Sequence, residues 1–138
     1  MDSAGSKNGV IAAGDEITAQ VGATLLAQGG NAVDAAVGAA FASFIAEIGV
    51  VHLGGSGLAQ LYDPHTQTSK VYDFFSSMPG LGRTEPLDKS KLDFHKVMVD
   101  FGATTQDFYV GRGAVAVPGN IFGLCQMAAN HGRLPLQD

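Results

Sequence analysis

Residues 29–41 read GGNAVDAAVGAAF, and no other stretch limits the possible folds as much. Two glycines, an asparagine and a lone aspartate stand directly ahead of a run of alanines and bulky apolar residues. Two readings compete: a ligand-binding glycine turn in which Asp34 does chemistry, or a helix start whose polar residues serve the backbone. The flanking residues favour the second. Asp15 is a good N-cap for a helix over about Glu16–Gln28, with Ile17, Val21, Leu25 and the methyl of Thr24 along one face. Gly29 and Gly30 stop that helix, because a left-handed C-terminal residue is easiest without a Cβ. Asn31 then caps the next helix, and Asp34, three residues on, reaches back to the cap N–H and meets the positive end of the helix dipole. GGNAVD is thus a stop followed by a start. Val33, Val37, Phe41, Phe44 and Ile45 form the large-residue stripe, while Ala35, Ala36, Gly38, Ala39 and Ala40 permit close approach. The helix is expected to be buried on most sides.

Such a helix needs cover, and composition says how much of the chain calls for it. Of the 138 residues, 46% are apolar and only 15% charged, which suits one domain or part of a larger one with extensive burial. A formal net charge of −5, with no lysine or arginine cluster, removes the electrostatic footprint of a nucleic-acid or anionic-membrane partner. Cys125 is the single cysteine, so neither an internal disulfide nor a CxxC metal site can form. The most apolar window, Ala32 to Leu53, contains Asp34 and Glu47 and has no uninterrupted run of about 18 residues. MDSAGSKNGVIAAGDE lacks the basic and apolar regions of a signal peptide, which leans the chain toward the cytoplasm.

Elsewhere, Val10–Ala13 reads as a short strand. Leu58–Tyr62 and Lys70–Phe74 read as a hairpin around the polar turn DPHTQT, with Val71 and Asp73 on one side and Tyr72 and Phe74 on the other. MPGLGRTE is a loop, and LDKSKLDFHKVMVDFGATTQD fits a peripheral, partly solvated segment. Ala114–Val117 reads as a short strand, and a helix follows over about Asn120–Asn130 with Ile121, Leu124 and Ala128 on one face.

HLGGSG, at residues 52–57, invites a phosphate-cradle reading but lacks the GK[ST] ending of a P-loop, and Leu58 stands where a nucleophile elbow needs glycine. Gly54, Gly55 and Gly57 are better read as a structural turn that passes close to a neighbour on entering a strand. His52, His65, His95 and His131 have no metal-ligand spacing, so no metal is expected, and no motif calls for a cofactor.

The order and spacing of LLAQGGNAVDAAVGAAFASFIAE, GGSGLAQLYD, VYDFF, GAVAVPGNIFGL and HGRLP resemble the start of the gamma-glutamyltranspeptidase family. GGNAxDAA is the most specific of these signatures, and the resemblance runs from about Ile11 to Asp138. It implies an N-terminal nucleophile hydrolase fold, an α/β (α+β) four-layer αββα sandwich. Residues 1–138 would be the N-terminal segment of the large subunit of a self-cleaving precursor, without an internal domain boundary.

The resemblance also implies a threonine nucleophile whose own amine is the base, at the start of a small subunit beyond residue 138. Thr18, Thr24, Thr66, Thr68, Thr84, Thr104 and Thr105 all lack that context, so the segment alone carries no catalytic residue. One substrate contact should fall within it, an arginine in a D-F-R-E-T-A-P-like motif that forks onto the substrate α-carboxylate. The matching run is DFFSSMP, which puts Phe75 at the arginine position, followed by Ser76 and Ser77. Phenylalanine cannot replace a bidentate guanidinium. The family's E-P-H-S-S-G lead likewise appears as EIGVVHLGG, matching at Glu47 only. A divergent branch with an acyl substrate lacking that carboxylate, or a loss of activity, are the two consequences; Arg83 and Arg112 are candidates for the missing charge. The expected function is therefore part of an autoprocessed amidohydrolase or acyltransferase acting on a gamma-glutamyl or other acyl amide. Its partner would be the remainder of the precursor. The rival is a noncatalytic relative kept for binding or assembly.

Overall fold

The computed structural model describes residues 9–80 and 82–136. The opening stretch read above for a leader lies mostly outside these residues, as do Leu81 of the MPGLGRTE loop and the last two residues. The described residues fall into two compact units: one runs to Phe75 and resumes at Pro118, and the other covers Ser76–Val117.

The first unit holds three helices and a hairpin. Helix α1, Glu16–Ala27, is capped by Asp15, whose carboxylate accepts from the N–H of Ile17 at 2.8 Å and of Thr18 at 3.4 Å. It ends in a Schellman turn: the N–H of Gly29 donates to Leu26 O and that of Gly30 to Leu25 O, with Gly29 at φ +94°. Helix α2, Ala32–Ala46, starts two residues later.

The face α1 turns inward differs from the expected one. Thr18, Gly22 and Leu26 are buried, whereas Ile17 is 62% exposed and Thr24 lies in solvent. Close approach, not side-chain size, selects the face: a Cβ at Gly22 would meet Ala35 O at 3.1 Å and strike Ile11, and one at Gly38 would strike Leu25. Thr18 closes the contact by donating to Glu47 Oε1 at 2.9 Å. Val10–Ala13 forms no strand, since a strand needs a partner and none pairs with it among the described residues; Ile11 packs onto Gly22 instead.

Strands β1, Gly57–Asp63, and β2, Thr68–Phe74, pair antiparallel with Ala59 opposite Tyr72 and Leu61 opposite Lys70. Their inward side, with Ala59, Leu61, Tyr72 and Phe74, packs on a core of Val33, Val37 and Phe44 from α2 and Leu124, Met127 and Ala128 from α3, Asn120–His131. Two stripe residues fall outside this core. Ile45 is 76% exposed and Ile121 is 50% exposed, because the helix faces are set by where the hairpin and the neighbouring helix lie. Within α2 only Ala32, Ala36 and Ile45 are exposed, so the helix is covered over most of its surface, as expected.

The second unit contains the hairpin β3–β4, His95–Asp100 with Thr105–Val110, inside the segment expected only as peripheral. Its signal is hidden by mixed composition: Lys96 and Asp107 form an ion pair at 2.7 Å, and Phe94 stacks on Tyr109. The expected strand Ala114–Val117 is instead a short 3-10 turn, Arg112–Ala114, and a single antiparallel bridge between Ser77 and Val117. Among the described residues, three α-helices and two antiparallel hairpins make an α+β fold.

Candidate functional site

Asp34 is the most heavily engaged carboxylate. Asn31 Oδ1 accepts from the N–H of Val33 at 2.8 Å and of Asp34 at 3.1 Å, and Asp34 Oδ2 accepts from the Asn31 N–H at 2.7 Å, a complete capping box. The same carboxylate accepts from the N–H of Arg133 at 3.0 and 3.1 Å and of Leu134 at 3.2 Å. The Asn31 amide donates to His131 O at 2.6 Å. Burial pushes the Asp34 carboxyl up, but the N–H groups of Asn31, Arg133 and Leu134 outweigh it and hold the pKa below the ordinary range. A carboxylate so occupied has little left for a substrate. It ties the start of α2 to the exit of α3, a contact across 100 residues that local reading missed. Its only sequence trace is Gly132, where a Cβ would lie 2.7 Å from Asp34 Oδ1.

The glycine turn does a related job for α3. Gly55 N–H closes a turn onto His52 O at 3.0 Å, and Gly55 O accepts from the N–H groups of Gly119 at 3.2 Å and Asn120 at 3.3 Å. Helix α3 has no side-chain N-cap, so this carbonyl satisfies amides that begin it. Buried Asn120 adds its side-chain amide to His52 O at 3.1 Å. Neither Gly54, Gly55 nor Gly57 has a positive φ. Proximity is the requirement instead: a Cβ on Gly57 would lie 2.7 Å from the Phe74 ring and one on Gly55 3.0 Å from Asn120 Nδ2, while Gly54 meets only the His52 ring.

Phe75 ends the first unit. It is 63% exposed, and its N–H donates to Asp73 Oδ1 at 3.0 Å, which holds the backbone as it leaves β2. In the second unit Ser76 is half-buried, and Ser77 is exposed and bridged to Val117 through N–H···O bonds of 3.3 and 2.8 Å. The two arginines considered for carboxylate binding are engaged locally. Arg83 Nε donates to Glu85 O at 3.0 Å, and Arg112 Nε pairs with Asp93 Oδ2 at 2.8 Å. Bonds from Arg112 hold the Asp93 carboxyl below its ordinary range. Among the described residues no group of three or more His, Cys, Asp or Glu side chains is placed to hold a metal ion. None of their helices is long and apolar enough to cross a membrane.

Comparison with known proteins places this architecture. The chain is 33% identical over 135 residues to the acylase ACY 1 proenzyme of Pseudomonas sp. (strain V22), covering 94% of this chain and 23% of that protein. It is 33% identical over 119 residues to the glutathione hydrolase proenzyme of Bacillus subtilis (strain 168), covering 86% of this chain and 19% of the relative. The structure superposes on the gamma-glutamyltranspeptidase from Pseudomonas nitroreducens complexed with L-DON with a TM-score of 0.66 at 28% identity, covering 93% of this chain and 35% of the other. The chain thus spans about a quarter or less of the length of the curated relatives it matches. A family model described as gamma-glutamyltranspeptidase matches residues 18–138, and the chain belongs to that family.

Proposed function

We propose that the chain is the N-terminal region of an autoprocessed gamma-glutamyltranspeptidase-like enzyme. The enzyme hydrolyses or transfers an acyl group through a threonine nucleophile that lies beyond residue 138. The observation that carries this reading is the family match over residues 18–138. Relatives named as proenzymes support the processing step. On this reading the partner of residues 1–138 is the remainder of the same precursor, and no cofactor takes part. The substrate is a small acyl amide, of which a gamma-glutamyl amide such as glutathione is the family case.

Phe75 narrows that class. A bidentate guanidinium recognises a carboxylate with two parallel hydrogen bonds, whereas an exposed phenyl ring offers only apolar surface. Phe75, with Ser76 and Ser77 after it, therefore selects an acyl group without an α-carboxylate. Intact mass and N-terminal sequencing of the natural gene product test the proposal. Two chains, the smaller beginning with threonine, are expected. A single uncleaved chain would overturn the catalytic reading in favour of a degenerate relative that binds or assembles.

A further inference from the structure

The inward side of the β1–β2 hairpin changes chemistry along its length. From the open end, β2 presents Phe74, Tyr72 and then Lys70 on one side, opposite Gly57, Ala59 and Leu61 of β1, with Asp63 following opposite Thr68. The apolar members cover the α2–α3 core. Near its turn the hairpin runs past the first residues of α2 and the last residue of α3, leaving an open groove of about 560 Å³. Small-ligand sites span roughly 300–1,000 Å³. Ala32, Val33 and Leu61 give this groove an apolar wall, and Lys70, His65 and His131 bring nitrogen groups to it.

Lys70 and Asp63 are the two formally charged lining residues, one of each sign, and they are not at ion-pair distance from each other. Asp63 is the one carboxylate among the lining residues, and it is already occupied: Oδ1 accepts from the His65 N–H at 2.9 Å and Oδ2 from the Thr66 hydroxyl at 3.0 Å. Among the described residues Lys70 has no carboxylate at ion-pair distance, in a chain whose formal net charge is −5. His131 is held at the opposite wall, its Nε2 2.7 Å from the hydroxyl of Tyr72.

We propose that this groove is a binding site for a small carboxylate with an apolar body. The carboxyl group pairs with Lys70, and the hydrocarbon lies against Ala32, Val33 and Leu61. The Lys70 ammonium, which has no ion-pair partner among the described residues, selects the anion, while Asp63 is turned to the donors of its own turn. The concave apolar wall selects a compact ligand over a flat macromolecular surface.

Calorimetric titration of the natural gene product with 3-phenylpropionate tests the site, with 3-phenylpropionamide as the uncharged probe and Lys70→Gln as the variant. The wild type is expected to bind the acid about tenfold more tightly than Lys70→Gln does, since one charge-assisted contact is lost. The amide should bind the wild type as weakly as the acid binds the variant, and added salt should erode the difference. Equal affinity of wild type and Lys70→Gln, or no binding of the acid, overturns the proposal. A second measurement needs no variant: saturating acid should slow acetylation of Lys70 by acetic anhydride while leaving Lys89 and Lys91 unchanged, and an unchanged Lys70 rate overturns it.

Discussion

Asp34 shows how a residue that looks catalytic in isolation becomes structural once its partners are counted. Its two oxygens serve the N–H groups of three residues in two distant segments. Replacing it with asparagine leaves one acceptor and turns an NH2 toward those donors. Asp34→Asn is expected to cost about 2–3 kcal/mol, read as a lower melting temperature, against about 1 kcal/mol for Asn31→Ala. The pH dependence has a definite sign. The folded-state pKa of Asp34 lies below the ordinary 3.8, so its stabilisation is present above that value and is lost as pH falls through the lower folded value. The melting gap between wild type and Asp34→Asn should therefore be full at neutral pH and shrink only in strong acid. A gap that stays constant through that range would deny Asp34 the role. Phe75 makes a prediction about substrate choice at the same scale. Phe75→Arg should shift the ratio of kcat/KM for gamma-glutamyl- over 4-aminobutyryl-p-nitroanilide upward by about tenfold or more, as a guanidinium gains the α-carboxylate. An unchanged ratio would mean that position 75 does not meet the acyl group.

The elements read most clearly from sequence are those with local punctuation. Asp15, Gly29 and Asn31 carry cap and stop signals that act within a few residues, and α1 begins and ends, and α2 begins, where those signals stand. The β1–β2 hairpin follows from alternation about a polar turn, with Tyr72 and Phe74 inward and Val71 outward. The β3–β4 hairpin did not read, because charged residues on both strands blur the alternation. Glycines separate the two kinds of constraint. A Cβ at Gly123 would collide with the Phe74 ring, while one at Gly29 meets nothing and suffers only from a φ of +94°. Gly123→Ala should destabilise by about 3 kcal/mol, through the overpacking of a core contact. Gly29→Ala should cost about 1 kcal/mol, through left-handed backbone strain alone. Thermal melting of the two variants distinguishes them, and equal losses would mean that α3 does not press on β2 as described.

At the scale of the whole molecule, much apolar surface stays uncovered within these residues. Leu58 and Val71 on the first hairpin are 65% and 67% exposed, and Met98 on the second is 66% exposed. Surfaces of this kind call for cover. Residues 1–138 expressed alone are expected to bind the dye ANS strongly and to melt without a sharp transition. Weak dye binding with cooperative melting would show a self-sufficient fold. Helix boundaries, the first hairpin and family membership were determined by the sequence itself, because caps, glycine stops and two-residue alternation act over a few residues and leave a local signature. Which helix face turned inward, that Ile17, Ile45 and Ile121 all stayed outside, and that Asp34 would clasp the exit of α3 were decided only by tertiary structure. Those outcomes depend on how closely elements far apart in the chain can approach, and the spacing of residues within one element does not encode that distance.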